Sequence, residues 1–216
     1  MLKGYNPRMG DPRNFKIRKD LFMTNSLLFA VYNYLIYPLM FVTSFLSGVI
    51  LPKMRKGFEL RRKHNGQYPW LTLNIKNPIW IHCASGEFEY AKALIREIKT
   101  KKPTEKIIVT YFSPSYIKQI HSFQTQEKLI DAFLPLPWDC PAVMRDFFKK
   151  IQPKLILISR TDLWPQMLRE AKHQNVKVVL YSALLSEQSS KVQNPFVRFI
   201  YTRILSFIDH IYCVTV

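Results

Sequence analysis

The chain has 216 residues, room for one domain of about 150 residues with an attachment and too few for two full α/β lobes. Hydrophobic residues make up 48% and charged residues 22%, which excludes a disordered or collagen-like chain. The 32 lysines and arginines against 15 acidic residues leave a formal charge of +17, which points to an anionic partner: nucleic acid, a phosphorylated lipid or an acidic membrane surface. Cys83, Cys140 and Cys213 form no C-x-x-C pair and have no histidine at ligand spacing, so neither a disulfide framework nor a metal site is expected, and a reducing, cytoplasmic setting fits.

Residues 1–25 read as a basic extension that carries Lys3, Arg8, Arg13, Lys16, Arg18 and Lys19. No charge occurs from Leu21 to Pro52, and residues 26–51 are dense in Leu, Phe, Tyr, Val and Ile. As one helix this stretch measures roughly 39 Å, enough to cross a bilayer with tilt. It is expected to be a retained membrane anchor, because the long basic lead and the lack of a small-residue cleavage site argue against a signal peptide. Pro38 interrupts it, so a kinked, re-entrant or interfacial segment is the alternative to a spanning helix, with a buried core helix as the remaining one. Tyr32, Tyr34 and Tyr37 suit the headgroup level. Cations flank the run on both sides, with Lys53, Arg55, Lys56, Arg61, Arg62 and Lys63 following it, so charge does not orient it. The second cluster reads either as an anionic-lipid contact or as a solvated stop-transfer flank.

After a basic linker over residues 52–77, residues 78–216 alternate apolar runs with amphipathic stretches. Strands are expected over 78–83, 106–112, 132–136, 154–159, 176–181 and 210–216, with helices over 87–99, from 115, over 141–151, over 162–174, and up to about 209. Near-continuous apolar strands separated by helices predict an α/β fold, a Rossmann-like parallel sheet covered by helices on both faces.

Such sheets bind ligands at the carboxyl ends of their strands. The first strand is followed by Ala84-Ser85-Gly86-Glu87, and Gly86 is the only glycine between Gln67 and Val216, which suggests a tight turn or a close backbone approach to a ligand. Glu87 stands at a helix start, where it either complements the helix dipole or does chemistry. Glu89 lies about 200° further round the helix and is expected on the solvated face. Ser113 and Ser115 offer hydroxyls at a second helix start, for capping or for a phosphate or sugar hydroxyl. Asp162 is expected at a third helix start beside Trp164, and Ser182 ends the fifth strand. His82, alone on a strand, reads as a satisfied core residue. No G-x-G-x-x-G or P-loop occurs, so no nucleotide cofactor is expected.

The segments I-H-C-A-S-G-E-F-E-Y-A-K-A-L-I, L-P-L-P-W-D-C-P, L-I-L-I-S-R-T-D-L-W-P and S-A-L-L-S-E, behind a membrane-anchoring apolar stretch, resemble the N-terminal half of the 3-deoxy-D-manno-octulosonic acid (Kdo) transferases. The resemblance runs from Ser26 to Val216. It implies the acceptor lobe of a two-lobed GT-B glycosyltransferase, which transfers Kdo from CMP-Kdo to a lipid A precursor in lipopolysaccharide synthesis at the cytoplasmic face of the inner membrane. Glu87 falls on the general base of the family, and Asp162 on the acidic residue of its T-E-L-W-P motif. Ser85, Gly86, Ser113, Ser115, Asp162 and Ser182 are the expected acceptor-binding residues.

The sequence also departs from the family pattern. Ala84-Ser85-Gly86-Glu87 replaces V-S-V-G-E, Asp162 is one methylene shorter than Glu, Arg160 stands where an acid is common, and Leu184 replaces the arginine of N-A-R-L-S. The CMP-sugar-binding lobe of the family has no counterpart in these residues, so the chain is expected to be either a fragment or split gene, or the partner of a separate donor-lobe polypeptide; a phosphorylated glycolipid and an anionic membrane are the other expected partners. The competing expectation is a non-catalytic, membrane-associated glycolipid-binding module derived from such a lobe. Nucleic-acid binding is not expected, because the charge is spread along the chain and no recognised motif appears.

Overall fold

A computed structural model describes residues 4–5, 26–62, 67–160, 162–183 and 193–213. In chain order the elements are β1 (Gly4–Tyr5), α1 (Ser26–Ile50), α2 (Pro52–Arg61), β2 (Ile79–Cys83), α3 (Phe88–Lys101), β3 (Ile107–Tyr111), α4 (Ile117–Glu127), β4 (Ala132–Pro135), α5 (Pro141–Ile151), β5 (Leu155–Ser159), α6 (Pro165–His173), β6 (Lys177–Ala183), α7 (Pro195–Leu205) and β7 (His210–Cys213). The sheet order is β1-β7-β6-β5-β2-β3-β4; all pairs from β7 to β4 are parallel, and β1 adds two antiparallel residues at the edge. The expected parallel α/β architecture is therefore present. Strand order reverses between β2 and β5, so the crevice outside their carboxyl ends is the topological switch point of the sheet.

Side-chain alternation on β2 divides the core. Trp80 packs with Phe147 and Phe148 of α5 on one face, while Ile79, Ile81 and Cys83 pack with Phe88, Ile95 and Ile120 on the other. Burial of all five β2 residues explains its unbroken apolar run, the mark of a strand covered on both sides. Helix ends follow local chemistry. Proline occupies the first turn of α5, α6 and α7, where its missing N–H costs nothing, and Lys128 and Gln152 adopt left-handed conformations that stop α4 and α5.

Three expectations need correction. The helix before β6 begins at Pro165 and not at Asp162, because proline's fixed φ suits the first helical position; Asp162 lies in the preceding turn. The apolar helix is continuous from Ser26 to Ile50 despite Pro38. A π-helical turn at Tyr32–Ile36 precedes the proline and absorbs the disturbed hydrogen bonding. The last helix of the lobe is shorter than expected and ends at Leu205.

Candidate functional site

The carboxyl edge at the switch point is built from the turns that leave β2, β3 and β5. The Ala84 carbonyl accepts N–H bonds from Phe112 (3.1 Å) and Ser113 (2.8 Å), so the turns after β2 and β3 are tied together. Ser113 Oγ accepts the Ser115 N–H at 3.4 Å and lies 2.7 Å from Ser115 Oγ, the capping arrangement of a short 3-10 turn at Pro114–Tyr116. Gly86 lies in a tight turn, with the Phe88 N–H on the Ser85 carbonyl at 3.2 Å, but its backbone is not left-handed, and a Cβ there would meet the Tyr116 ring at 3.4 Å.

Glu87 is the cap residue of α3 and is partly exposed. Its Oε2 accepts the Ser85 N–H at 2.9 Å, and its carbonyl accepts Ser159 Oγ–H at 3.4 Å across the switch point. The carboxylate is thus held by its own turn at the positive end of a helix, with no cation bonded to it among the described residues. Glu89 is exposed and paired with Lys92 at 2.9 Å, on the solvated face as expected.

Asp162 is bound differently. Its Oδ2 lies 2.9 Å from Nε2 of His82, and the His82 Nδ1 lies 2.9 Å from Thr110 Oγ1. Thr110 is the β3 register partner of His82 and also accepts the Trp80 indole N–H at 2.8 Å. His82 is fully buried, and the Asp162 side chain is 26% exposed at the end of this chain of bonds. Burial works to raise the carboxyl pKa of Asp162, but the bond and charge of His82 outweigh it, and the group sits below the ordinary carboxylate range. His82 is a satisfied core residue, as expected, and it is also the anchor of Asp162. The register position opposite Thr110 was the available signal.

Arg61, expected in a basic cluster that either meets anionic lipid or forms a solvated flank, is buried. From the last turn of α2 it donates to the carbonyls of Leu136 (2.8 Å), Gly57 (2.9 Å) and Phe112 (2.7 Å), with the rings of Phe112 and Trp138 near its guanidinium. Burial pulls its pKa down to about 10. Trp164 lies against Phe112 at 4.8 Å, half-buried. These contacts leave neither Arg61 nor the Phe112 side of Trp164 free for solvent.

Asp139, fully buried, was not singled out by sequence. Both its oxygens cap α6, accepting the N–H groups of Gln166 (3.0 Å) and Met167 (2.9 Å), while Tyr32 of α1 donates its hydroxyl at 2.7 Å. It fills the role at the start of α6 that Asp162 was expected to fill. Burial, only partly offset by these bonds, pushes its pKa up to about 6. Tyr32 therefore faces the lobe, while Tyr34 is 85% exposed.

Arg160 and Ser182, at the ends of β5 and β6, both have positive φ (62° and 53°), an uncommon conformation for these residue types that concentrates at functional edges. The Arg160 guanidinium lies 5.7 Å from the Tyr90 ring centroid, one helical turn beyond Glu87. Ser182 is one strand further from the switch point than Asp162. Leu184 lies outside the described residues. No cluster of three metal-ligating side chains occurs among the described residues.

The family described as 3-deoxy-D-manno-octulosonic-acid transferase (kdotransferase) matches residues 54–216. The chain belongs to this family. It is 30% identical over 113 residues to a 3-deoxy-D-manno-octulosonic acid transferase of Aquifex aeolicus, covering 50% of this chain and 30% of that protein. The corresponding protein of Haemophilus influenzae is 31% identical over 113 residues, 52% of this chain and 26% of its own length. That of Rickettsia felis is 34% identical over 114 residues, 52% of this chain and 24% of its own length. Each match thus spans less than a third of the relative.

Proposed function

We propose that this chain is the acceptor lobe of a membrane-associated Kdo transferase, working with a donor lobe that holds CMP-Kdo. The observation that carries the reading is the placement of Glu87: a partly exposed carboxylate at the switch point, on a helix start, bonded only within its own turn. In this reaction an acceptor hydroxyl oxygen attacks the anomeric carbon of Kdo, and the bond from that carbon to the CMP phosphate oxygen breaks. The bonding electrons leave with CMP, and the hydroxyl proton passes to Glu87.

Asp162 serves as a fixed negative charge that accepts an acceptor hydroxyl, oriented by His82. Ser85, Gly86, Ser113, Ser115 and Ser182 line the path of the acceptor along the carboxyl edge. The acceptor is a phosphorylated glycolipid of the lipid A precursor type, presented at the cytoplasmic face of the inner membrane, and the net charge of +17 suits its phosphates. The apolar α1 keeps the lobe beside it. The test is transfer of labelled Kdo from CMP-Kdo to a lipid A precursor by purified full-length chain mixed with a donor-lobe polypeptide. Binding of the acceptor without transfer under these conditions favours the non-catalytic module.

A further inference from the structure

Helix α1 is apolar enough to cross a bilayer, but its contacts bear on whether it does. Near its start, Phe29 meets Phe207 at 5.4 Å and lies under the Arg169 guanidinium at 5.0 Å. One turn on, the Tyr32 hydroxyl bonds Asp139 and the Asn33 amide oxygen accepts from Gln166 at 2.7 Å. Phe41 then packs on Trp138 (5.1 Å) and Phe58 (5.3 Å), and Phe45 on Phe58 (5.8 Å). Gly48 is buried, with the Arg55 backbone 3.4 Å from where its Cβ would be.

With the half-buried Tyr37 between Asn33 and Phe41, these residues form one stripe about 28 Å long. Over that distance an unbroken α-helix would carry the stripe about 100° round its axis. The wider π turn at Tyr32–Ile36 offsets part of that drift, so the same side keeps facing the lobe. The opposite side is an unpartnered apolar stripe: Leu27 is 65% exposed, Leu35 64%, Leu39 61%, Leu46 58% and Val49 73%.

A spanning helix must pass through about 30 Å of hydrocarbon free of polar neighbours. Here every turn from Phe29 to Gly48 touches either the soluble lobe or α2. Helix α2, folded back at Leu51 against the second half of α1, exposes Lys53, Arg55, Lys56 and Arg62 against the single acid Glu59. No turn between Phe29 and Gly48 is free to sit alone in lipid. We infer that α1 lies in the plane of the membrane surface, its outer stripe sunk into one leaflet and its inner stripe clasped to the lobe, with the cations of α2 on anionic headgroups. This rests on the membrane association proposed above and decides between the spanning and interfacial forms of it. An amphipathic helix flanked by cations binds such surfaces through buried apolar area and charge together. The occupant of the stripe is therefore anionic lipid, by the complementarity of those cations.

The experiment uses full-length chain in bacterial inner-membrane vesicles, with Cys140→Ser and Cys213→Ser as background, the fully buried Cys83 retained, and one added cysteine at Ser26 or at Lys53. A membrane-impermeant maleimide should label both positions in inside-out vesicles and neither in intact spheroplasts. Labelling of the two positions from opposite sides overturns the inference. With purified chain and vesicles of phosphatidylglycerol and phosphatidylethanolamine, Leu39→Glu should release the chain, and each of Lys53→Gln and Lys56→Gln should weaken binding about fivefold, the equivalent of about 1 kcal/mol per cation. Equal binding to neutral and anionic vesicles, or a lipid-free dimer cross-linked through Leu39→Cys, would also overturn it, the latter in favour of a second copy as occupant. None of these readouts depends on sugar transfer, so they fail or succeed independently of the proposed reaction.

Discussion

The two turns that face each other across the switch point carry carboxylates under opposite restraint. Glu87 is held by one backbone N–H of its own turn and stays partly exposed. Asp162 is mostly enclosed and tied to His82, itself fixed by Thr110. A group that must pick up a proton has to keep a free oxygen and an adjustable charge; a group that only orients a substrate gains from being pinned. In the proposed reaction this difference matches proton chemistry at the β2 turn and a fixed charge at the β5 turn.

The comparison breaks most completely if the lobe works alone. Purified full-length chain with CMP-Kdo and a lipid A precursor, but no donor lobe, should show no transfer above background in a labelled-Kdo assay; sustained turnover would mean that both substrates are held by this chain. Next in size, Asp162→Asn in the two-lobe system should lower the transfer rate about tenfold to a hundredfold, the equivalent of one charge-assisted hydrogen bond. An unchanged rate would reduce Asp162 to a structural partner of His82.

A smaller effect separates Asp162 from Asp139 by the sign of their pH dependence. The folded state holds Asp162 below the ordinary carboxylate range, so its contribution to stability is complete above about pH 4 and is lost as pH falls further. Asp139 is raised to about 6, so the folded state binds its proton more readily than the unfolded chain, and its contribution grows as pH falls from about 6 towards 4. Denaturation curves should show the stability gap between wild type and Asp162→Asn narrowing below pH 4. The gap between wild type and Asp139→Asn should widen from pH 7 to pH 4. Parallel changes in both would show that the two carboxyls share one environment. Tyr32→Phe, which removes a single bond to Asp139, should cost about 1 kcal/mol of stability by the same measurement.

The sheet was legible because fully buried strands write themselves as apolar runs: Ile79–Cys83 and Leu155–Ser159 appear within a residue of their expected bounds. Glu87 and its turn were legible for the same reason, since the position after a strand is fixed once the strand is. Partners distant in sequence were not. Nothing local distinguishes Arg61 from the exposed Arg62 beside it; only the fold of α2 onto β4 buries one and not the other. Asp139 and Tyr32 are 107 positions apart, and their bond depends on where α1 lies. The helix-start role given to Asp162 failed because Pro165 claims the first helical position, a signal that was present in the sequence and outweighed by the apolar periodicity.

The central claim is that Glu87 takes the acceptor proton, and its most direct test sets it against its neighbour two residues on. In the full-length chain with donor lobe, CMP-Kdo and lipid acceptor, Glu87→Gln should lower the transfer rate by about 10² to 10⁴ with little change in acceptor binding. Glu89→Gln removes only an exposed pair with Lys92 and should leave the rate within about twofold. Small and equal effects from the two substitutions would contradict the account and leave Glu87 as a helix-end charge.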